Sequence, residues 1–164
     1  MNRLRRHNNL VELRKEYSKQ LLIDDREPLE FAELVASNCP IPVDFQRLKT
    51  GDYVCEDVII ERKTINDFAG SLTGKKKRMF TQFDRLKKCK RPFLVISGCK
   101  DDLISKINYH AIIGAKAYLA ANGVTVVQEE SDDDLAYLIL KILEKCGKFK
   151  LMNGFLKTKK MLNK

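Results

Sequence analysis

Short apolar runs alternate with segments of helical periodicity through the middle of the chain, and this alternation restricts the fold more than any other feature of the sequence. Apolar runs of about four to eight residues between turn residues predict buried strands, whereas apolar residues at every third or fourth position predict amphipathic helices. We expect strands at 20–24, 43–49, 53–62, 92–97 and 124–128. This pattern is typical of the α/β class, with a mixed central sheet flanked by helices and an antiparallel hairpin among the middle strands.

The segments between these strands carry helix caps and apolar stripes. Thr64 is an expected N-cap, because Asp67 follows it at the third helical position in a capping-box-like arrangement. The longest helix has five inward-facing candidates, namely Leu103, Ile107, Ala111, Gly114 and Tyr118. The expected helices lie at 28–38, 64–72, 75–89, 101–121 and 132–146.

The charged residues are unevenly distributed along the chain. The formal net charge is +9, and the segments 1–23, 75–91 and 145–164 carry +4, +8 and +7, while the remaining residues sum to −10. Cations gathered in blocks around an acidic centre are typical of a protein that binds a polyanion and holds cations in its interior. A single lysine-rich run is an ordinary solvated surface, so it is the three blocks together that favour nucleic acid as a partner.

The sequence also excludes several classes of protein. No apolar run approaches the roughly 20 residues that span a bilayer, and the amino-terminal segment lacks the apolar core of a signal peptide. The five cysteines are scattered without a CxxC pair, so they fit neither a disulfide framework nor a structural zinc site. We therefore expect an intracellular protein, in the cytoplasm or nucleoid if prokaryotic or viral and in the nucleus if eukaryotic.

One predicted strand carries a glutamate and a lysine with the spacing of a catalytic motif. Glu61 and Lys63 are two positions apart, so both side chains emerge on one face of the strand while Arg62 points to the other. Asp52 lies nine residues before Glu61, which in an ideal strand would place the two on opposite faces. Their convergence therefore requires a turn or bulge at 55–57.

Carboxylates beside a lysine suit the hydrolysis of a phosphodiester. This reaction requires stabilisation of the charge that develops on the phosphorane oxygens, together with activation of a water molecule. Mg²⁺ performs both tasks, and it is commonly bound by one or two carboxylates with several retained waters. We expect Asp52 and Glu61 to supply such ligands and Lys63 to orient the water or stabilise the phosphate, although each residue taken alone is also compatible with a surface salt bridge.

The residues around this motif resemble the nuclease domain of the XPF family, which includes the archaeal Hef protein and the eukaryotic Mus-type junction resolvases. The resemblance covers residues 20–146, and its most specific part is the combination GDY…ERKxxxD. The stretches that carry it are Asp24-x-Arg26-Glu27, Gly51-Asp52-Tyr53, Glu61-Arg62-Lys63 with Asp67 four residues on, Arg78-Met79-Phe80-Thr81-Gln82, PFLVISG and AIIGAKAYLAANGVTVV.

Membership of this family implies a restriction-endonuclease-like fold and a Mg²⁺- or Mn²⁺-dependent endonuclease. Such enzymes cut branched, flap or fork DNA near junctions of duplex and single strand, in DNA repair or recombination, and leave 5′-phosphate and 3′-hydroxyl ends. On this chain the resemblance implies that Asp52, Glu61 and Asp24 bind the metal, that Glu27 completes the acidic pocket and that Lys63 is the catalytic lysine. It further implies residues that support the site or contact DNA, namely Arg26, Arg62, Asp67, Arg78, Lys75, Lys76, Lys77 and Arg85.

The expected organisation is a basic amino-terminal arm or helix at 1–19, the nuclease domain at 20–146 and a basic tail at 147–164. This tail is too short for the tandem helix-hairpin-helix motifs that family members usually carry. A homodimer, or a heterodimer with a related subunit, is expected, because the family commonly dimerises and because the helix at 101–121 carries small residues that let another helix approach. The same small residues are equally suited to packing against the chain's own sheet.

Two other functions stay open at this point. A non-catalytic DNA-binding or scaffold subunit that positions another nuclease would have the same charge pattern, although such subunits typically lose part of the acidic motif. A more general nuclease of the same fold would cut plain duplex at rates comparable to those on forks.

Overall fold

The structure is a computed structural model that describes residues 19–73, 76–104 and 106–151, with the backbone alone at 76–80. The strands are β1 (Leu21–Asp24), β2 (Val43–Gln46), β3 (Tyr53–Cys55), β4 (Val58–Thr64), β5 (Arg91–Ser97) and β6 (Thr125–Glu129). The helices are α1 (Leu29–Ser37), α2 (Ile65–Thr73), α3 (Lys76–Lys87), α4 (Tyr109–Ala121) and α5 (Asp132–Lys145), with a 3-10 helix at Lys100–Asp102. None of the helices formed by the described residues has the length and apolar character needed to span a bilayer.

The strands form one mixed sheet in the order β2-β1-β3-β4-β5-β6. β1 pairs with β2 in parallel, and β4, β5 and β6 are also parallel to one another. β3 pairs in antiparallel orientation with both β1 and β4, so it runs against its neighbours. The carboxyl ends of β1 and β4 therefore lie at the same edge of the sheet, where β3 begins. The predicted α/β class with a mixed sheet is confirmed.

β3 and β4 form the hairpin that carries the candidate motif. The turn consists of Glu56 and Asp57, and Glu56 adopts a φ of 53°. Such a left-handed conformation is uncommon for a residue with a side chain but is required in many tight hairpin turns. The predicted strand at 53–62 is thus two strands joined at its polar interruption. The predicted strand at 43–49 is represented by the shorter β2, which pairs with β1.

The residues that follow α5 hold the tip of this hairpin. The Lys148 ammonium lies 2.7 Å from the carboxylate of Glu56 and also forms an ion pair with Asp57. Its side chain is only 7% exposed, and Phe149 and Leu151 pack against the neighbouring core. The first residues of the predicted basic tail are therefore packed onto the sheet.

Helices cover both faces of the sheet and enclose two apolar cores. On one face α1 and α5 pack together over buried residues that include Leu21, Ile23, Phe31, Tyr53, Ile60, Val95, Leu135 and Ile139. On the other face α2, α3 and α4 enclose a second core that includes Phe68, Phe83, Leu86, Leu94, Ile96, Ile112 and Leu119. Successive residues of β4 face these two cores in turn, because side chains alternate along a strand.

The prediction of a helix at 101–121 is wrong in its first part, because α4 begins only after Asn108. The Asn66 side chain, on α2, accepts a hydrogen bond from the Ile104 N–H at 2.9 Å and donates one to the Asp102 carbonyl at 2.9 Å. The Asn108 side chain then caps α4. These contacts engage backbone groups that a continuous helix would use, and both Leu103 and the cap residue Asn108 have extended backbone conformations.

The prediction for the inward face of this helix is confirmed for Leu103 and Ile107, which pack against the second core, and is wrong for Ala111, Gly114 and Tyr118. α4 buries Ile112 and Leu119, whereas Ala111 and Gly114 are exposed and Tyr118 is 48% exposed. The helix contacts α2 and β6 along one narrow stripe, since its two buried residues are seven positions apart. The Lys87 ammonium, on α3, lies 5.3 Å from the centroid of the Tyr118 ring, while Ala111, Ile113 and Gly114 are exposed.

Candidate active site

The candidate site lies where β3 begins, between the carboxyl ends of β1 and β4. The Asp52 carbonyl accepts a hydrogen bond from the Asp24 N–H at 2.8 Å, which ties the start of β3 to β1. Tyr53 pairs with Ile60 in the hairpin, and the Asp52 N–H donates to the carbonyl of the same Ile60 at 2.8 Å. The Asp52 carboxylate accepts from the Arg62 N–H at 2.7 Å, so it lies beside β4 and close enough to Glu61 for the two charges to interact. The hairpin turn therefore brings together two carboxylates that simple strand alternation would separate.

Gly51 makes this close approach to β4 feasible. It has a φ of 76°, and a Cβ at this position would lie 2.5 Å from Cγ2 of Ile59 and 3.2 Å from the carbonyl oxygen of Ile60. Glycine alone combines this backbone conformation with the space available. The structure thus explains the Gly-Asp pair of the motif. The glycine lets the backbone pass close to β4, and this brings the following residue, Asp52, next to that strand.

Glu61 and Lys63 form a largely desolvated ion pair that a third residue completes. Lys63 Nζ lies 3.2 Å from Glu61 Oε1, and the two side chains are 13% and 9% exposed. The Gln82 amide, on α3, donates from Nε2 to Glu61 Oε1 at 3.0 Å and accepts from Lys63 Nζ at Oε1 at 3.2 Å. The three side chains therefore close a ring of polar contacts on the face of β4 that α3 covers.

Asp52 and Glu61 both have pKa values above the ordinary range of a carboxyl group. Burial is the main cause at Asp52, the charges of Glu61 and Glu27 add to it, and the hydrogen bond from the Arg62 N–H to Asp52 Oδ2 at 2.7 Å opposes it. Burial likewise raises the pKa of Glu61, against the lowering effect of Lys63. Two desolvated carboxylates that repel each other are an arrangement that a bound cation would stabilise.

Glu27 belongs to a buried network beneath these residues. Its Oε2 accepts a hydrogen bond from the Tyr53 hydroxyl at 2.7 Å and one from Arg62 Nε at 2.8 Å. The Arg62 guanidinium also lies over the Phe31 ring, 4.6 Å from its centroid. Burial raises the pKa of Tyr53, and the adjacent Glu27 carboxylate adds to the rise, so the hydroxyl stays a donor. This network fixes the end of β4 against α1.

Asp24 is held by its own loop. Its Oδ1 accepts from the Arg26 N–H at 2.9 Å and from Arg26 Nε at 2.7 Å, and its Oδ2 accepts from Arg26 Nη2 at 2.9 Å and from the Leu48 N–H at 2.8 Å. The Arg26 guanidinium holds the pKa of this buried carboxyl well below its ordinary range. Asp24 therefore joins the loop after β1 to the segment after β2, and metal ligation by Asp24 stays a prediction.

Asp67 caps the helix that follows β4. The Thr64 hydroxyl donates to Asp67 Oδ2 at 2.7 Å and accepts from the Asp67 N–H at 3.0 Å. This is the N-terminal cap expected from the sequence, with the hydroxyl rather than a backbone group as the donor to the aspartate. Asp67 is exposed, so the structure places it at the beginning of α2 on the rim of the site.

The cations predicted to contact DNA are placed only in part. Arg85 lies on α3 and is exposed. Lys76, Lys77 and Arg78 lie in the first two turns of the same helix, and their side chains fall outside the described atoms. Lys75 lies outside the described residues.

Asp52 and Glu61 are the described residues best suited to hold a divalent cation. Among the described residues, no three His, Cys, Asp or Glu side chains come together as a ready-made metal cluster. Mg²⁺ does not need such a cluster, since it is commonly bound by one or two carboxylates and completes its shell with water and substrate phosphate. The desolvated oxygens of these two residues fit that kind of ion.

Gln82 was assigned no role from the sequence, although it closes the motif stretch on α3. A signal for it was present, because Gln82 precedes the buried Leu86 by four positions and so shares its side of the helix. Gln82 is nevertheless exposed at the margin of this buried stripe, so burial does not require a partner for it. The pattern could not show that its amide contacts the Glu61–Lys63 pair.

Comparison with known proteins gives one family and several relatives. The model of the ERCC4 domain family matches residues 23–142. The 3′-flap repair endonuclease Xpf of Saccharolobus solfataricus is 34% identical over 131 residues, which are 77% of this chain and 55% of that protein. A protein of Methanocaldococcus jannaschii described as an ATP-dependent RNA helicase is 32% identical over 128 residues, which are 77% of this chain and 15% of that protein. The chain thus spans about half of one relative and a small part of the other.

Solved structures with the same fold come from XPF of Aeropyrum pernix. One has a TM-score of 0.67 at 24% sequence identity and covers 79% of this chain and 65% of its own. Another, solved in complex with DNA, has a TM-score of 0.63 at 24% identity and covers 82% and 68%. The fold predicted from the resemblance, a mixed sheet of the restriction-endonuclease-like type between helices, is confirmed.

Proposed function

The chain belongs to the ERCC4 domain family of XPF-type nucleases, and on that premise we propose that it is an endonuclease that uses Mg²⁺ or Mn²⁺ to hydrolyse phosphodiesters in branched, flap or fork DNA. It would cut near junctions of duplex and single strand in DNA repair or recombination, inside the cell, and leave 5′-phosphate and 3′-hydroxyl ends. The observation that carries the proposal is the contact of the Asp52 carboxylate with the Arg62 N–H, directly after Glu61 at the base of the hairpin, together with the ion pair of Glu61 and Lys63.

In this proposal Asp52 and Glu61 hold the metal ion. A cation bound there would act as a Lewis acid, polarising the scissile phosphate and activating water. Lys63 donates to an oxygen of the same phosphate, and its ion pair with Glu61 keeps the ammonium at the site. The low exposure of both side chains strengthens these contacts, because electrostatic stabilisation is larger where water is excluded.

The remaining motif residues act as positioning residues. Glu27 and Arg62 fix the end of β4, so the direction of Glu61 and Lys63 depends on their buried contact. Asp24 and Arg26 fix the loop beside Asp52 through the paired hydrogen bonds of the guanidinium. To bind a metal ion, the Asp24 carboxylate would have to use oxygen lone pairs that accept no hydrogen bond, or to give up one of its hydrogen bonds from Arg26 and Leu48.

The basic segments are proposed to bind the DNA backbone. Arg85, Lys76, Lys77 and Arg78 belong to α3, the helix whose Gln82 reaches the site, and Lys75 precedes this helix in the sequence. The basic segments 1–19 and 147–164 would flank the nuclease domain at 20–146 and add sequence-independent affinity. Contacts of this kind release counterions, so the affinity should fall steeply as the salt concentration rises.

A cleavage assay on the full chain tests the proposal. The substrates are a labelled 3′ flap, a fork, a nicked junction and a linear duplex of matched length, each with Mg²⁺, with Mn²⁺ and with EDTA. We expect metal-dependent cutting near the junction, and a loss of at least about 100-fold in rate for Asp52→Ala and for Lys63→Met. A folded wild-type protein that cuts none of these substrates contradicts the proposal, and equal rates on duplex and fork contradict its structure specificity.

The alternative function is a non-catalytic subunit that positions another nuclease on DNA. The charge of α3 is compatible with it, but the ring of Glu61, Lys63 and Gln82 has no evident purpose in a subunit that only binds. In that case the wild-type protein and Asp52→Ala would bind the fork equally well and neither would cut it. Cutting by the wild-type protein alone would reject the alternative.

The exposed face of α4 is the proposed site of dimerisation. Ile113 and Tyr118 are each 48% exposed there, beside the small residues Ala111 and Gly114. A second copy of this chain, or a related subunit, would cover these side chains, and small residues allow close approach of two helices. Sedimentation velocity should show a dimer that Ile113→Glu converts to a monomer, whereas a strict monomer at high concentration would reject this proposal.

A further inference from the structure

Gln82 contacts both charged partners at the centre of the candidate site. Its Nε2 lies 3.0 Å from Glu61 Oε1, and its Oε1 lies 3.2 Å from Lys63 Nζ. An ionised carboxylate only accepts hydrogen bonds and an ammonium only donates them, whereas a primary amide does both. The amide is therefore matched to both partners in a single orientation. A glutamate at this position would face Glu61 with a like charge, and an apolar side chain would serve neither partner.

Gln82 also links the site to another structural element. It lies on α3, which is anchored to the second core by Phe83 and Leu86, 3% and 1% exposed. Arg85 and Lys88 lie on or directly after the same helix and face solvent. The helix proposed to contact the DNA backbone is thus joined to Glu61 and Lys63, on β4, by one side-chain amide.

We infer that Gln82 is a positioning residue that holds the Glu61 carboxylate and the Lys63 ammonium in their working geometry and fixes them relative to α3. The inference rests on the proposed function for its catalytic consequence, but the contact that it names exists without DNA. Because Gln82 acts through Glu61 and Lys63, its loss should reduce the rate of the chemical step and leave DNA affinity unchanged. Displacement of a catalytic group by about 1 Å costs on the order of 100-fold in rate.

Two variants of similar size test this inference. Gln82→Met keeps the volume and removes the donor and the acceptor, while Gln82→Glu keeps an acceptor for Lys63 and places a like charge beside Glu61. The matched control is Gln128→Met, on β6. The Gln128 amide likewise accepts a hydrogen bond from a lysine, Lys116, and donates one to the Gly98 carbonyl. All proteins are compared as full chains, with thermal unfolding measured on each.

Single-turnover cleavage of a 3′-flap substrate with Mg²⁺ gives the first readout. We expect a maximal rate reduced by about 10-fold to 100-fold in both Gln82 variants, with the dissociation constant for the flap within about 2-fold of the wild type. The control should match the wild type in both quantities. A Gln82→Met rate within about 3-fold of the wild type would overturn the inference, and so would a loss of DNA affinity at an unchanged rate.

The second readout does not depend on activity. In the DNA-free wild-type protein, the ¹⁵N signal of the Lys63 side chain should show slowed proton exchange, since its ammonium is hydrogen-bonded and 13% exposed. This protection should weaken in Gln82→Met, where the ion pair with Glu61 alone remains, and should be unchanged in Gln128→Met. An unchanged Lys63 signal in Gln82→Met would overturn the inference even if the wild-type protein cleaves no DNA. An inactive wild type with a changed signal would instead count against the proposed function.

Discussion

The replacement of Asp52 by asparagine should remove activity and at the same time stabilise the metal-free protein. Burial, with the charges of Glu61 and Glu27, raises the pKa of Asp52 from 3.8 to about 8. Between these two values the folded protein binds a proton at Asp52 that the unfolded chain has released, so stability falls as the pH rises through this window. Asparagine carries no charge and still offers an oxygen to the Arg62 N–H, so it avoids this loss.

The size of the gain follows from the same values. A change of one in pKa corresponds to about 1.4 kcal/mol, so a rise from 3.8 to about 8 sets an upper limit of roughly 6 kcal/mol. Asp52 is only half-buried, so solvent screens part of its charge, and a proton taken up by Glu61 relieves part of the repulsion. We therefore expect about 2 kcal/mol at pH 7.5, or about 4–8 °C in melting temperature for a chain of this size.

Thermal unfolding followed by circular dichroism measures this effect. With EDTA at pH 7.5, Asp52→Asn should melt above the wild type, and the difference should vanish as the pH falls toward about 4, where Asp52 is protonated in both states. Saturating Mn²⁺, at about 100 times the dissociation constant of the wild type, should stabilise the wild type by about 2.7 kcal/mol and the variant by about 1.4 kcal/mol or less. The matched control is Asp44→Asn, which removes the same charge from an exposed position of β2 and should change stability by less than about 0.5 kcal/mol. An Asp52→Asn protein that melts at or below the wild type at pH 7.5 without metal would refute the reasoning.

Three further changes have defined outcomes. Tyr53→Phe should lower the free energy of unfolding, measured with urea, by about 1.5–3 kcal/mol, because it removes a buried hydroxyl that donates to the Glu27 carboxylate. Equal urea midpoints for the variant and the wild type would show that this hydrogen bond does not stabilise the fold. Arg26→Met should move the acid unfolding transition to higher pH, since Arg26 keeps the pKa of Asp24 low and the stability from a depressed carboxyl pKa is lost as the pH falls; an unchanged acid transition would contradict the assigned cause. Gly51→Ala should cost about 2 kcal/mol or more, owing to its φ of 76° and the lack of space for a Cβ, and an unaffected melting temperature would argue against the described loop.

The fold followed from the sequence wherever local signals and long-range packing agree. The positions of the strands, the Thr64 cap and the hairpin turn at the polar interruption were predictable, because periodicity, capping chemistry and turn residues point to the same elements. The predicted burial is wrong for β2 and β6, which lie at the two edges of the sheet and are exposed or half-buried. The helix at 101–121 was not, because its first part is held by the Asn66 side chain from a different element. Local periodicity contains no information about that tertiary hydrogen bond.

The candidate site was predictable in its residues but not in its contacts. The resemblance singled out Glu27 and Asp24 as acidic residues, whereas the structure shows one bonded to Tyr53 and Arg62 and the other to Arg26. Which carboxylates stay desolvated and repel one another depends on burial and on the available donors, and neither is a property of sequence spacing. For this reason the sequence indicated an acidic pocket, while the structure singles out Asp52 and Glu61 as the carboxyl groups whose pKa burial raises.

A calorimetric titration of Mn²⁺ into the metal-free full chain, into Asp52→Asn and into Glu61→Gln tests most directly whether these two carboxylates share a divalent cation. Our account predicts a saturable site in the wild type that each substitution weakens by at least about 10-fold, which is the loss of roughly 1.4 kcal/mol of binding free energy. Asp44→Asn should bind like the wild type. Unchanged Mn²⁺ affinity in both site variants, or no binding by the wild type, would contradict the account.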